Sequence, residues 1–198
     1  MTIAQRSPLG PAKFLVLWTA ANLLGGFIVG FLENNGLQFM ATLVLAGAIA
    51  GACQWLVLRY AGYRLRWWAI ASALGWIVGT FVRAFSQALY GPIATALYQQ
   101  FGLWEGFWLN LLAAPITVLG MAVAQSILLG RGGRWTGGWL LASLLGGVAL
   151  GVVGAGLCAA FCPSLSRSAV GIVDGLGWAG YGVITGVGWL MLSSAETE

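Results

Sequence analysis

Apolar residues run along this chain in six long blocks, at positions 14–31, 37–58, 67–82, 107–129, 139–161 and 170–192, and charged residues are almost confined to the gaps between them. A helix that crosses the hydrocarbon of a bilayer needs about 20 mostly apolar residues, within a range of roughly 17–25. Five blocks reach that length. The third reaches it if the helix continues past Arg83 and the long side chain snorkels to the interface. The pattern predicts an all-α, polytopic membrane bundle of six transmembrane helices, forming a single membrane domain over residues 1–198.

The blocks are related to one another. Trp18-Thr-Ala-Ala-Asn-Leu-Leu-Gly25, Trp68-Ala-Ile-Ala-Ser-Ala-Leu-Gly75 and Trp139-Leu-Leu-Ala-Ser-Leu-Leu-Gly146 share the form W-x-x-A-[N/S]-x-L-G. The stretch from Gln54 to Gly75 aligns without a gap on that from Gln125 to Gly146. The sixth block carries a weaker echo of the second, Ile184-Thr-Gly-Val-Gly-Trp189-Leu against Ile49-Ala-Gly-Ala-Cys-Gln-Trp55-Leu. Self-similarity of this kind predicts three parallel two-helix repeats, at about 14–60, 67–130 and 135–192, around a pseudo-symmetry axis along the membrane normal. The gap from 84 to 106 is the longest. Pro92 suits a first helical turn, and Ile93, Leu97, Tyr98 and Phe101 then share a face, so this gap holds either an amphipathic helix lying on the interface or a plain loop.

Composition fits the same class. The chain is 60% hydrophobic and 7% charged, against about 25% charged in soluble domains. Many of its 31 glycines stand four apart, as in Gly26/Gly30, Gly47/Gly51, Gly75/Gly79, Gly147/Gly151, Gly171/Gly175 and Gly182/Gly186. Such GxxxG pairs make flat seams for a neighbouring backbone, read here as internal packing ahead of partner docking.

Charge sets an orientation. Arg6, Lys13, Arg59, Arg64, Arg66, Arg131 and Arg134 fall on one side of the six blocks, and Arg83 and Arg167 on the other with Glu33, Glu105 and Asp174. The positive-inside rule then makes both termini cytoplasmic, in a bacterial inner membrane or a thylakoid. The net charge of +4 is spread too thinly for a nucleic-acid partner. Trp18, Trp55, Trp67, Trp68, Trp135, Trp139 and Trp189 all map to the cytoplasmic ends of blocks, where an interfacial aromatic belt is expected. Trp76 and Trp178 lie deeper.

Few residues offer chemistry. Gln54 and Gln125 each precede a serine by the same 18 positions, Ser72 and Ser143. Residues so spaced come to equal depth in a hairpin, which predicts polar clasps Gln54–Ser72 and Gln125–Ser143. Asn22 then occupies the matching place beside the sixth block, where Gly188 stands instead of a glutamine. It is left without a clasp, and the seam between the first and sixth blocks becomes the most open. Asp174 is the one carboxylate inside an apolar block, and with Arg83 and Glu105 it makes a possible outer-side charge cluster. Cys158 and Cys162 are near the limit for a disulfide on a straight helix. Cys53 lies in lipid. With no histidine and no CxxC, neither a metal site nor a catalytic set is expected, and the chain reads as no enzyme.

The phrase Gly51-Ala-Cys-Gln54-Trp55-Leu-Val-Leu-Arg59, followed by Trp67-Trp68 and Leu74-Gly75-Trp76, resembles a group of small multi-pass membrane proteins common in cyanobacteria and some green non-sulphur bacteria, built from G-x-x-Q-W-x-x-L-R and Trp-led, Gly-rich helices. The resemblance covers about 47–79 well and 120–151 more loosely. Gly130 stands where Arg59 stands in the first copy, and the third copy lacks the glutamine. The resemblance implies a repeated membrane protein of photosynthetic membranes and carries no activity with it. The leading expectation is therefore an accessory or assembly subunit packing within a larger membrane complex, with lipids and other membrane subunits as partners. A small transporter or channel, or a binder of carotenoid, quinone or lipid, is the alternative. No cofactor beyond a bound carotenoid or lipid is expected.

Overall fold

The structure, a computed structural model, describes residues 9–130 and 133–194. Arg6 and Arg131, used in the charge argument, lie outside the described residues. The elements are α1 (Pro11–Leu32), α2 (38–60), α3 (Trp68–Phe101), α4 (Glu105–Leu129), α5 (Gly133–Phe161) and α6 (Arg167–Ser194), with no strand among the described residues. Five helical stretches are long and apolar enough to cross a membrane: Pro11–Tyr60, Trp68–Phe101, Glu105–Leu129, Gly133–Ser164 and Arg167–Ser194.

The first stretch is 50 residues long and holds both α1 and α2. It is broken where Asn35 (φ −115°, ψ 30°) and Gly36 (φ 102°) leave helical geometry. Glycine takes that positive φ without a Cβ clash. The side-chain amides of Asn34 and Asn35 donate to the carbonyls of Gly30 and Phe31, at 2.8 and 2.7 Å, filling acceptors that the last helical turn leaves open. The break thus has a local cause in the run Glu33-Asn-Asn-Gly36. Between α2 and α3 the chain reverses at Gly62 (φ 89°). Tyr63 N–H bonds the Leu58 carbonyl at 2.9 Å and Gly62 N–H that of Arg59 at 3.0 Å, the paired bonds of a glycine-capped helix end.

The third helix departs from expectation. In place of a span ending near Arg83 and a separate interfacial helix or loop, α3 is continuous for 34 residues through Pro92. Pro92 does not stop the helix, just as Pro115 lies inside the continuous α4; each removes one backbone hydrogen bond, and the helical turns on either side carry the chain through. Nothing else between Arg83 and Gly91 breaks a helix. The chain turns only at Gly102 and Leu103, both at positive φ.

The helices pack in chain order into a closed ring, α1 to α6 and back to α1. Glycines set its spacing. In α3, Gly75 lies against Gly120 and Gly79 against the Thr117 carbonyl of α4. In α5, Gly147 faces Pro115 and Gly151 faces the Asn110 carbonyl of α4. Along the seam expected to be most open, Gly171, Gly175, Gly182 and Gly186 of α6 all press on α1, at Phe27, Leu23, Asn22 and Trp18 among others. The α1–α6 seam is therefore among the closest in the bundle, because its glycines admit the opposing backbone.

A Cβ at Gly79 would overlap Thr117, whereas one at Gly137 meets nothing within 4 Å. Gly79→Ala should destabilise the bundle by about 1–3 kcal/mol, the usual cost of overpacking. Gly137→Ala should be neutral or stabilising by up to about 1 kcal/mol through helix propensity. Unfolding midpoints of the two variants in mild detergent check this.

Candidate functional site

The axis of the ring is filled at one end and hollow at the other. The filled end lies beside the α2–α3 turn, and its centre is Trp189, only 1% exposed. Six rings surround it, those of Phe14, Trp18, Tyr63, Trp68, Trp135 and Trp139, at centroid distances from 5.2 to 6.3 Å. Most are edge-on or tilted, as the ring quadrupole favours. This corrects the expected interfacial belt. Trp18, Trp68, Trp135, Trp139 and Trp189 are buried, Trp55 is half-buried, and of the seven only Trp67 is exposed. Each Trp-led helix turns its indole inward, so related positions converge on the axis.

Beneath the rings lies a polar layer of fully buried side chains. Three indole N–H groups donate across helix boundaries: Trp18 to Thr185 Oγ1 at 3.0 Å, Trp68 to Gln54 Oε1 at 3.0 Å and Trp139 to Gln125 Oε1 at 3.2 Å. The glutamine amides pass the chain on. Gln54 Nε2 donates to Asn22 Oδ1 at 2.8 Å, and Gln125 Nε2 to Ser72 Oγ at 2.8 Å and Gln54 Oε1 at 3.2 Å. Asn22 in turn donates to the Trp18 carbonyl at 2.8 Å.

All five residues expected to form clasps meet in or beside this layer, but with shifted partners. Gln54 reaches Asn22 in place of Ser72, and Gln125 reaches Ser72 in place of Ser143. The cause is helix register. Gly51 is the α2 residue that packs on Ser72, which carries Gln54 almost a turn further, level with Trp68. Ser72 meanwhile donates its proton to the Trp68 carbonyl at 2.8 Å, and so can only accept from Gln125. The residue that no amide reaches is Ser143, not Asn22: its buried hydroxyl faces that of Tyr181, and Trp189 Nε1 has no partner.

A second apolar layer follows. Trp76 and Trp178 lie 5.5 Å apart, Trp178 and Tyr181 also 5.5 Å apart, and Ala50, Val118 and Met121 complete it. Trp76 is fixed by its N–H donating to the Thr42 carbonyl at 2.7 Å, beside the widened turn Ala41–Leu45 of α2. Such turns release carbonyls from the helix ladder.

Beyond this floor, towards the α1–α2 break, a cavity of about 270 Å³ receives residues from every helix. Glu33, Arg83 and Asp174 supply its charges, Thr42, Thr80, Asn110 and Thr117 its polar surface, and Trp76, Trp104 and Trp178 its aromatic surface. Asp174 sits over Gly30, where any side chain would collide with its carboxyl group. Glu33 accepts a hydrogen bond from Thr42 Oγ1 at 2.7 Å. The charge cluster of the sequence is thus altered in one member. Arg83 and Asp174 do line one cavity, but Glu105 is exposed and bonded by Thr95 Oγ1 at 2.9 Å, and the second acid of the cavity is Glu33. Its signal was present in the sequence as the acid that opens the Glu-Asn-Asn-Gly break. Cys158 also lines the cavity, joined to Cys162 in a disulfide with Cα atoms 4.6 Å apart. The turn at Cys162–Ser164 tightens the chain from an α-helical path and draws the pair within range.

Compared with protein-family models, curated proteins and solved structures, the chain matches none of them. The site therefore has to be read from its own chemistry.

The polar layer makes a direct expectation. Gln54→Leu strips Asn22 and Trp68 of a partner, which should cost about 1–3 kcal/mol. Combined with Asn22→Ala it should be non-additive, by about 0.6 kcal/mol on the average for membrane hydrogen bonds. Ser143→Ala, which touches none of these bonds, should add independently of both. A double-mutant cycle on detergent unfolding measures all three, and additivity of Gln54→Leu with Asn22→Ala would remove the bond.

Proposed function

We propose that this is a non-enzymatic integral membrane protein that holds a small solute in a pocket closed at one end. In this reading the break at Asn35 and Gly36 lets the first apolar stretch cross twice. The chain then makes six crossings as three parallel two-helix units, with the arginine-rich turns and both termini cytoplasmic. The pocket opens on the opposite side. One observation carries the reading: the cavity with Glu33, Arg83 and Asp174 stops at the Trp76–Trp178 floor, and the polar layer and Trp189 fill the axis behind it. A conducting path needs a continuous polar lining, so this arrangement favours retention over conduction.

The lining suggests the ligand class. Two carboxylates and three indoles suit an ammonium group, through charge and cation–π attraction. Arg83 suits a carboxylate. A volume of about 270 Å³ lies just below the usual range of roughly 300–1,000 Å³ for ligand pockets, which fits a small zwitterion or organic cation better than a carotenoid or quinone.

The accessory-subunit reading rests on a different observation. At 1.5 Å per residue α3 is about 51 Å long, against about 30 Å of hydrocarbon. In its second half Phe85 is 84% and Leu89 75% exposed, a surface that a partner subunit could cover. The glycine seams no longer favour this reading, since the bundle uses them internally.

Thermal unfolding of the purified chain in mild detergent, with choline, glycine betaine and a small amino acid as probes, tests the solute reading. At a hundredfold excess over Kd a ligand should stabilise by about 2.7 kcal/mol. Asp174→Asn should abolish the shift and Glu105→Gln should keep it. No shift with any probe, or equal behaviour of the two variants, would contradict the pocket. A chain that stays associated with other membrane subunits and ignores every probe would favour the accessory role.

A further inference from the structure

A second cavity, of about 940 Å³, lies at the filled end, outside the ring and around the α2–α3 turn. Arg59, Arg64 and Arg66 line it, together with Trp55, Trp67 and Leu128 among others. In sequence these arginines carried only a topology argument, and as such they need not have pointed anywhere in common. In the fold they converge. The reversal at Gly62 brings Arg64 and Arg66 back over the end of α2. Arg59 lies on the Trp55 ring at 5.3 Å and Arg66 on the Trp67 ring at 5.2 Å, contacts that hold flat guanidinium groups in place and leave their N–H edges free. Among the described residues all three acids, Glu33, Glu105 and Asp174, belong to the opposite end of the bundle, so this cluster has no carboxylate of its own there.

The position of the cavity narrows the ligand. Within two turns of it α3 presents Ile70 and Leu74, and α4 presents Ile127 and Val123, all exposed. The cavity therefore stands where apolar outer surface gives way to charge, the depth of lipid headgroups in a membrane protein. Three arginines on a concave wall are too few for a nucleic-acid track but match one anionic phosphodiester, with acyl chains descending along the apolar helix faces.

We propose that Arg59, Arg64 and Arg66, framed by Trp55 and Trp67, bind the headgroup of an anionic phospholipid. The phosphodiester oxygens accept guanidinium hydrogen bonds, and the indoles carry the glycerol and upper acyl region. The site is separate from the solute pocket and stands whether or not that pocket binds anything.

Native mass spectrometry of the full chain in neutral detergent tests it, with short-chain phosphatidylglycerol, short-chain phosphatidylcholine and inorganic phosphate as probes. Each basic side chain near an anionic lipid is worth about fivefold in affinity, so the wild-type chain should prefer phosphatidylglycerol by on the order of a hundredfold. The triple change Arg59→Gln, Arg64→Gln, Arg66→Gln should bring phosphatidylglycerol down to the phosphatidylcholine level. Arg64→Gln alone, which leaves both stacked pairs intact, should lose about fivefold. Arg134→Gln, an exposed arginine at the same end but outside the cavity, should change nothing. Equal loss in Arg134→Gln would make the effect one of general charge, and unchanged retention in Arg64→Gln would overturn the site. Displacement of the lipid by equimolar inorganic phosphate would show a free-phosphate site and contradict a lipid one.

Discussion

Everything in this bundle is arranged around three indole N–H groups that need acceptors in an apolar interior. A buried donor without a partner costs roughly 1–3 kcal/mol, and water is scarce at this depth. Trp68 and Trp139 are answered by Gln54 and Gln125 on the preceding helix, and Trp18 by Thr185. Each bond ties a Trp-led helix to the one before it around the ring. The amide ends of the glutamines then reach Asn22 and Ser72, so the bonds form one connected layer. That layer, with a side chain from each of the six helices, fixes their rotation about their own axes, and rotation decides which glycines meet which backbones.

The sixth helix differs from the second and the fourth, and the difference has a use. Where α2 and α4 bring a glutamine, α6 brings Thr185, Gly188 and Trp189. The small glycine packs on Ala142, and Trp189 fills the axis in place of an amide. The bundle gives up one amide clasp, leaving Ser143 to face the Tyr181 hydroxyl, and gains an aromatic plug against six rings. An indole in place of an amide closes this end of the ring, and the cavity lies at the other end, beyond the Trp76–Trp178 floor.

Much of this was legible in the sequence. The apolar blocks mark the helices, the Trp-led copies mark equivalent positions, and Gln54, Gln125, Asn22 and Ser72 stand out as the polar residues that must find one another. What spacing could not show was register. Equal depth in an ideal hairpin pairs Gln54 with Ser72, but the Gly51–Ser72 contact moves the glutamine almost a turn along, to Trp68. Nor could it show direction. A tryptophan near a block end reads as a headgroup anchor, and the same residue turned inward becomes core: Trp67, just before α3, faces out, and its neighbour Trp68 faces the axis. The continuity of α3 escaped because a proline reads as a stop, whereas here the helical turns on both sides of Pro92 carry the chain through it, as they do at Pro115. Glu33 was visible, but its place in the cavity depends on how α1 and α2 fold back at Gly36.

The central claim is that the Trp–amide layer seals the axis against water. Indole hydrogen exchange tests it most directly, in the chain carrying nitrogen-15 in its tryptophan side chains and with resonances assigned by Trp→Phe changes. On transfer to heavy water the indole protons of Trp68 and Trp139 should persist for hours, the range in which exchange reports rare opening, while those of Trp55 and Trp67 vanish at once. Gln54→Leu should speed Trp68 and spare Trp139. Exchange of Trp68 and Trp139 as fast as that of Trp67 would mean that water reaches the axis, and the closed end would have to be abandoned.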